Sequence, residues 1–252
     1  CEVIREEDRF IPIPTPLSTE RTHVLIEYTG FRCVNCPTAA AHAAQLQQTY
    51  GEQLIIVAMH PATNPFTQGV AQYDYTCPEA DTYYQYMGGT ASTAFPTGNV
   101  NYQLQDNAYF TSSDTWATQV SQYYGGSTII MQQSVYCDAK DVTIDVELYH
   151  LGSSSQLDAT LQIWLIEDGI VGKQIMPDGK TNNEYTHNHL LRASVLPSVW
   201  GEAHVLPNLT PKNFTYHYTL PEKVVAENCH IVSVLSVGGI VVQTKETKIT
   251  TK

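Results

Sequence analysis

The sequence is poor in cations. Thirteen Lys and Arg stand against 25 Asp and Glu, a formal net charge of −12. No basic cluster occurs that could neutralise a run of phosphates, which argues against nucleic acid as a partner. Charged residues of both signs make up only 15% of the chain. Gln, Thr, Tyr and Asn carry much of the remaining polar surface, a composition that suits a protein working outside the cytoplasm. Long apolar runs are missing too: the longest candidate, "IVSVLSVGGIVV", is broken by two glycines and falls short of a membrane span. The chain has no internal repeat and no low-complexity tract. It also has no second Cys-x-x-Cys and no His-x-x-His, so the pair Cys33 and Cys36 lacks the further ligands that a zinc site needs. Neither a metal nor a cofactor is expected.

What is present is enough apolar residue, 42% of 252, for one large domain or two ordinary ones. The first half alternates strand and helix. "THVLIEYT" (22–29) reads as a buried strand and "PTAAAHAAQLQQTY" (37–50) as a helix stopped by Gly51. "QLIIVAMHP" (53–61) is a second buried strand, and strand–helix–strand with short connections implies parallel pairing. A short helix over "PEADTYYQYMGG" ends at Gly88. Another, over "SSDTWATQVSQYYGG", has Ser113 or Asp114 as N-cap and Gly125 as terminator.

After Gly126 the pattern becomes that of strands. Val142, Ile144, Val146 and Leu148 alternate with polar residues. Asp168-Gly169 between two apolar runs signals a hairpin, and Gly238-Gly239 marks a turn. Seven or eight short strands and no helix predict an antiparallel β-sandwich of immunoglobulin type, with the boundary near residues 125–128.

The Cys33–Cys36 pair opens a helix, where i and i+3 share one face and unpaired backbone N–H groups favour the thiolate of the first Cys. Arg32 pushes the same way if its side chain folds back. Glu27, six residues upstream inside an apolar strand, is costly to bury unless it has work to do. Beneath the pair it could exchange a proton with Cys36, its pKa raised by burial. In "TAFPTG", Pro96 is the candidate for a cis proline facing the sulfurs and presenting backbone groups to an extended chain. These readings require Cys33 partly exposed, Pro96 cis and Glu27 buried. His187 and His189 alternate in "THNHLL", which places both rings on one strand face. With no acid or Cys beside them in sequence, they read as surface histidines. His60 reads as an ordinary strand-end residue, with a place near the cysteines as the alternative.

The string "VLIEYTGFRCVNC" with a later Phe-Pro-Thr resembles thioredoxin-like proteins over roughly residues 20–125. The resemblance implies that Cys33 attacks, Cys36 resolves, Glu27 is the buried acid and Pro96 the cis proline. The departures are the lack of a Trp before Cys33, Glu in place of Asp, Pro37 directly after the second Cys, a longer segment ahead of Pro96, and polar residues after it. Taken whole, with Cys1 at its start and "YTHNHLLRASV" in its second half, the chain resembles the twenty-eight-kilodalton outer-membrane protein (Omp) lipoproteins of bacteria. That implies a lipid on Cys1 and a place in the cell envelope. The expected organisation is a tether over 1–19, a thioredoxin-like α/β domain over 20–126 and an immunoglobulin-like all-β domain over 127–252. If Cys1 is lipidated and Cys33 pairs with Cys36, then Cys137 and Cys229 are left as a second pair or as two separate buried thiols, and Cys77 is odd. Two functions fit. One is thiol–disulfide exchange, with protein thiols or disulfides as partners. The other is a non-catalytic surface binding or adhesion lipoprotein that contacts another envelope protein and keeps the Cys pair as a structural disulfide.

Overall fold

The computed structural model describes residues 19–69 and 75–251. The tether expected over 1–19 falls, but for Thr19, outside the described residues, and so does Cys1. The first unit is built as the apolar runs dictate. β1 (His23–Tyr28) and β2 (Leu54–Met59) are buried along their whole length and pair in parallel, Leu25 against Ile56. The chain between them passes through α1 (Cys36–Tyr50). Pro37 sits in the first turn of α1, where its missing N–H is not needed, and Gly51 ends the helix at φ 56°. α2 (Pro78–Tyr86) ends two residues before Gly88 (φ 88°).

β3 (Thr97–Val100) pairs antiparallel with β1, although its sequence TGNV is polar and its side chains are buried. Its polarity is absorbed locally. The Asn99 side-chain amide donates to the carbonyls of Gln103 (2.8 Å) and Tyr109 (2.9 Å), and Asn101 Oδ1 just beyond accepts the Val24 N–H at 3.0 Å. Gly98 is required there, because a Cβ would lie 2.6 Å from the Trp116 ring. A 3-10 turn over Ser113–Thr115 leads into α3 (Trp116–Tyr123), whose N-cap is Thr115 rather than Ser113 or Asp114.

From residue 129 onward the described chain is strand after strand: β4 (Ile129–Asp138), β5 (Asp141–His150), β6 (Gln156–Glu167), β7 (Ile170–Ile175), β8 (Thr181–His187), β9 (Leu190–Ser194), β10 (Glu202–Pro207), β11 (Lys212–Thr219), β12 (Cys229–Val237), β13 (Ile240–Lys248) and β14 (Thr250–Thr251). These are more strands than the seven or eight expected, because several are short and polar. β11, β5, β4 and β14 form one sheet, and β7 and β8 form a separate ribbon. The turn at Gly238-Gly239 closes the β12–β13 hairpin with both residues at positive φ. Asp168-Gly169 does not close a hairpin. β6 pairs with β9, β10 and β12 and β7 pairs with β8, so this turn carries the chain from one sheet to another.

The remaining strands join both halves in one sheet of order β13-β12-β6-β9-β2-β1-β3, with β10 also on β6. The joint is narrow. Ala58 of β2 registers with Leu190 of β9, and the Ala58 N–H donates to the His189 carbonyl at 2.7 Å. β6 is buried on both faces. Leu161, Ile163 and Leu165 enter a core with β4 and β5, whereas Trp164 and Ile166 enter another with β1, β2 and α2. Trp164 Nε1–H donates to the Tyr83 hydroxyl of α2 at 2.9 Å, tying helix to sheet. Truncating this fully buried ring removes packing on the side of β6 that faces the first half. Trp164→Ala is expected to cost about 3–5 kcal/mol, read as a lowered urea midpoint.

Candidate functional site

The loop from β1 to α1 is held close to its neighbours. The Cys33 N–H donates to the Gly30 carbonyl at 3.0 Å and the Arg32 N–H to the Phe66 carbonyl at 3.0 Å. A Cβ on Gly30 would lie 2.5 Å from the Phe66 oxygen, so only glycine permits this approach. Cys33 and Cys36 form a disulfide with Cα atoms 5.4 Å apart, and Cys36 begins α1. The Arg32 guanidinium lies over the Phe31 ring, 5.5 Å from its centroid.

Glu27 follows from the alternation of β1. Val24, Ile26 and Tyr28 face the α2 side and Leu25 the α1 side, so Glu27 also points towards α1. It is 2% exposed, its Oε1 has no hydrogen-bond partner among the described residues, and burial pushes its pKa up to about 8. Glu27 and Cys36 line the same cavity. The Phe95–Pro96 bond is cis, and Phe95 packs in the apolar cluster that holds both cysteines.

One expectation fails. Cys33 is only 2% exposed, because the β7–β8 ribbon from the second half lies across the loop. The Ile175 N–H donates to the Phe31 carbonyl at 2.8 Å, and Gln174 Nε2 donates to the Cys33 carbonyl at 3.0 Å. Neither residue carries a local signal, since both meet the Phe31–Cys33 loop across some 140 positions of chain.

The ribbon also roofs the cavity of about 370 Å³ next to Glu27. Alanines of α1 (Ala40, Ala41, Ala43, Ala44) form one wall, and His60, Tyr185 and His187 add polar atoms. His60 lines the cavity that Cys36 also lines, with its ring against Tyr75 and His187. His187 is not a surface residue: it is 6% exposed and stacked 4.4 Å from Tyr75. His189 leaves the strand at φ 60° and turns to Asp168, so the two rings do not share a face. Burial lowers the pKa of His60 to about 3 and that of His187 to about 4, and both rings are neutral. Among the described residues no group of three or more His, Cys, Asp or Glu is placed to hold a metal.

Cys137 and Cys229 are separate buried thiols, not a bridge, and Cys77 is likewise free and buried. No helix among the described residues is long and apolar enough to cross a membrane.

A raised pKa on a buried acid has a definite linkage. The unfolded chain releases the Glu27 proton near 4.5 and the fold keeps it to about 8. Stability from this group is therefore complete below pH 4.5, falls through the window 4.5–8 and is lost above it. At about 1.4 kcal/mol per pH unit the loss is roughly 5 kcal/mol. Glu27→Gln, which stays neutral, is expected to gain on the native protein by up to that amount between pH 5 and 9, measured by urea unfolding.

With the geometry in place, comparison with known proteins gives the following. A family model described as Outer membrane protein Omp28 matches residues 80–252, a span that begins in α2 and leaves out Glu27, Cys33 and Cys36. No curated protein matches the chain. Among solved structures, HBP35 of Porphyromonas gingivalis is similar over 92% of this chain and 76% of its own, with a TM-score of 0.73 and 12% identity. A protein of Agrobacterium tumefaciens is similar over 89% and 92%, with a TM-score of 0.50 and 12% identity. A domain of the outer membrane lipoprotein Omp28 from Porphyromonas gingivalis is 22% identical over 50% of this chain and 91% of its own, with a TM-score of 0.35. The likeness to HBP35 is one of fold and extends over both halves. The family match takes in well over half of the residues, and the chain belongs to the outer membrane protein Omp28 family.

Proposed function

We propose that this protein is a lipid-anchored component of the bacterial outer membrane whose Cys33–Cys36 pair exchanges disulfides with protein substrates. In this reading residues 20–126 are a thioredoxin-like domain and residues 127–252 an immunoglobulin-like one, with the lipid on Cys1. Support for the first assignment comes from the parallel β1–α1–β2 unit, the Cys pair opening α1, and the cis Pro96 ahead of antiparallel β3. The observation that carries the chemistry is Glu27, a buried acid in the cavity that Cys36 lines, with a pKa of about 8. A structural staple has no use for a proton carrier beside it.

Written from the reduced pair, the Cys33 thiolate attacks one sulfur of a target disulfide, forming a mixed disulfide and releasing the other sulfur as thiolate. Cys36 then loses its proton to ionised Glu27 and its thiolate attacks Cys33. This restores the Cys33–Cys36 disulfide and frees the reduced target. The target gains two electrons and the Cys pair loses them, and oxidation of a target dithiol is the same sequence reversed. Because β7 lies over Cys33, the ribbon must shift for a substrate to reach the sulfur.

A second reading rests on that same burial. A disulfide 2% exposed under a strand of the other half suits a staple in a surface binding protein. Two measurements separate the readings. In the exchange reading the reduced protein cleaves a model protein disulfide, and Cys33→Ser lowers the rate by 100-fold or more. Equal rates for the two proteins would establish the staple. Gln174→Ala, which removes the side-chain bond to the Cys33 carbonyl, is expected to raise the rate of iodoacetamide alkylation of reduced Cys33 several-fold. An unchanged rate would exclude the ribbon as the barrier.

A further inference from the structure

The cavity between α1 and the β7–β8 ribbon has a chemistry that proton transfer at Cys36 does not use up. Its α1 wall is made of methyl groups, because the helix carries Ala40, Ala41, Ala43 and Ala44 where larger side chains would fill the space. Ile56 and Ala58 of β2 extend this apolar floor. At its inner end stand two side chains that are each 2% exposed, Glu27 and His60. Glu27 Oε1 and His60 Nδ1 both lack a hydrogen-bond partner among the described residues. Buried polar atoms left so are uncommon and call for an explanation. Both residues follow the strand alternation that also turns Leu25 and Ile56 towards α1, and both line the cavity.

Charge narrows the choice of occupant. Among the described residues no Lys, Arg or Asp lines the space, so an anion finds no counter-ion among them. Burial leaves Glu27 mostly protonated and His60 and His187 neutral at pH 7, so a cation binds only at the cost of ionising Glu27. A protonated carboxyl offers one donor and one acceptor side by side. A primary amide is complementary to it, its C=O accepting the acid O–H and its N–H donating to the acid C=O. The volume, about 370 Å³, is at the small end of ligand sites.

We propose that this cavity is a binding site for a small uncharged molecule with an apolar body and an amide-like hydrogen-bonding end, held by Glu27 and His60 against the alanine wall of α1. Binding does not require the Cys pair to turn over, so this site and the exchange activity stand or fall separately.

The test is titration of the full chain at pH 7 with benzamide, benzoate and benzylammonium, following the ring C–H resonances of His60 and His187 by NMR. Benzamide is expected to shift both resonances saturably, and the two charged probes to bind at least tenfold more weakly. Ala44→Leu places a larger side chain on the exposed part of the helical wall, and leucine is a good helix former. It is expected to weaken benzamide binding tenfold or more at an unchanged unfolding midpoint. Shifts that do not saturate, charged probes that bind as well as benzamide, or undiminished binding by folded Ala44→Leu would each overturn the proposal. Should Ala44→Leu fail to fold, Glu27→Gln and Glu27→Leu replace it. The amide, which keeps a donor and an acceptor, is expected to retain binding and the leucine to lose it; equal affinity in the two would overturn the proposal.

Discussion

The structure depends on a strand that has no outside. β6 gives Leu161, Ile163 and Leu165 to one core and Trp164 and Ile166 to another, so neither half closes its interior without it. Alternation along a strand normally separates a wet face from a dry one. In β6 it separates two dry faces, and the near-continuous apolar run LQIWLIE is the result. The polar member of that run, Gln162, is buried and donates to the Val199 carbonyl at 2.9 Å.

Both the setting of the Cys33–Cys36 disulfide and the cavity take their form from this arrangement. β9 lies between β6 and β2 and meets β2 through the single register pair Ala58–Leu190. The β7–β8 ribbon leaves the sheet just before that point and returns just after it, between Asp168-Gly169 and His189. Its two ends are cross-tied, since the His189 N–H donates to Asp168 Oδ1 at 2.6 Å and the Gly169 N–H to Asn188 Oδ1 at 2.9 Å. Asp168 also meets His230 of β12 at 3.2 Å, and His230 meets Glu246 of β13 at 3.5 Å. A ribbon with so little sheet of its own is positioned by its base and by its contacts with the Cys33 loop. The part of the chain that matches the family therefore covers the catalytic candidate in the part that does not.

The sequence was most readable where secondary structure and burial are decided locally. β1, β2, β5 and β12 appear as apolar or alternating runs, and Gly51, Gly88 and Gly238-Gly239 mark ends that only positive φ can supply. Glu27 stood out as an acid in an apolar strand. β3 was hard to see because its burial rests on Asn99 and Asn101 bonding to distant backbone, which no hydrophobic pattern records. Asp168-Gly169 misled because turn chemistry fixes the bend, not the partners of the strands on either side. Gln174, Tyr185 and His187 lay beyond reach for a similar reason, since what makes each of them matter is a neighbour more than a hundred residues away. The alanine-rich stretch of α1 was the one local sign that space would be left beside Glu27.

The three remaining described cysteines bear on how such a chain must be made. Burial raises the thiol pKa of Cys77 and Cys229 to about 12 and pushes that of Cys137 up too, which disfavours the thiolate needed for exchange. In the folded protein burial holds these three sulfurs in the less reactive thiol form. In the unfolded chain they are ordinary thiols competing for the same oxidant as Cys33 and Cys36. Correct pairing is therefore a question of timing: in an oxidising compartment the cores around β2, β4 and β12 must close over these thiols before the oxidant reaches them. The local Cys33–Cys36 bond, spanning three residues, can form early without trapping the chain.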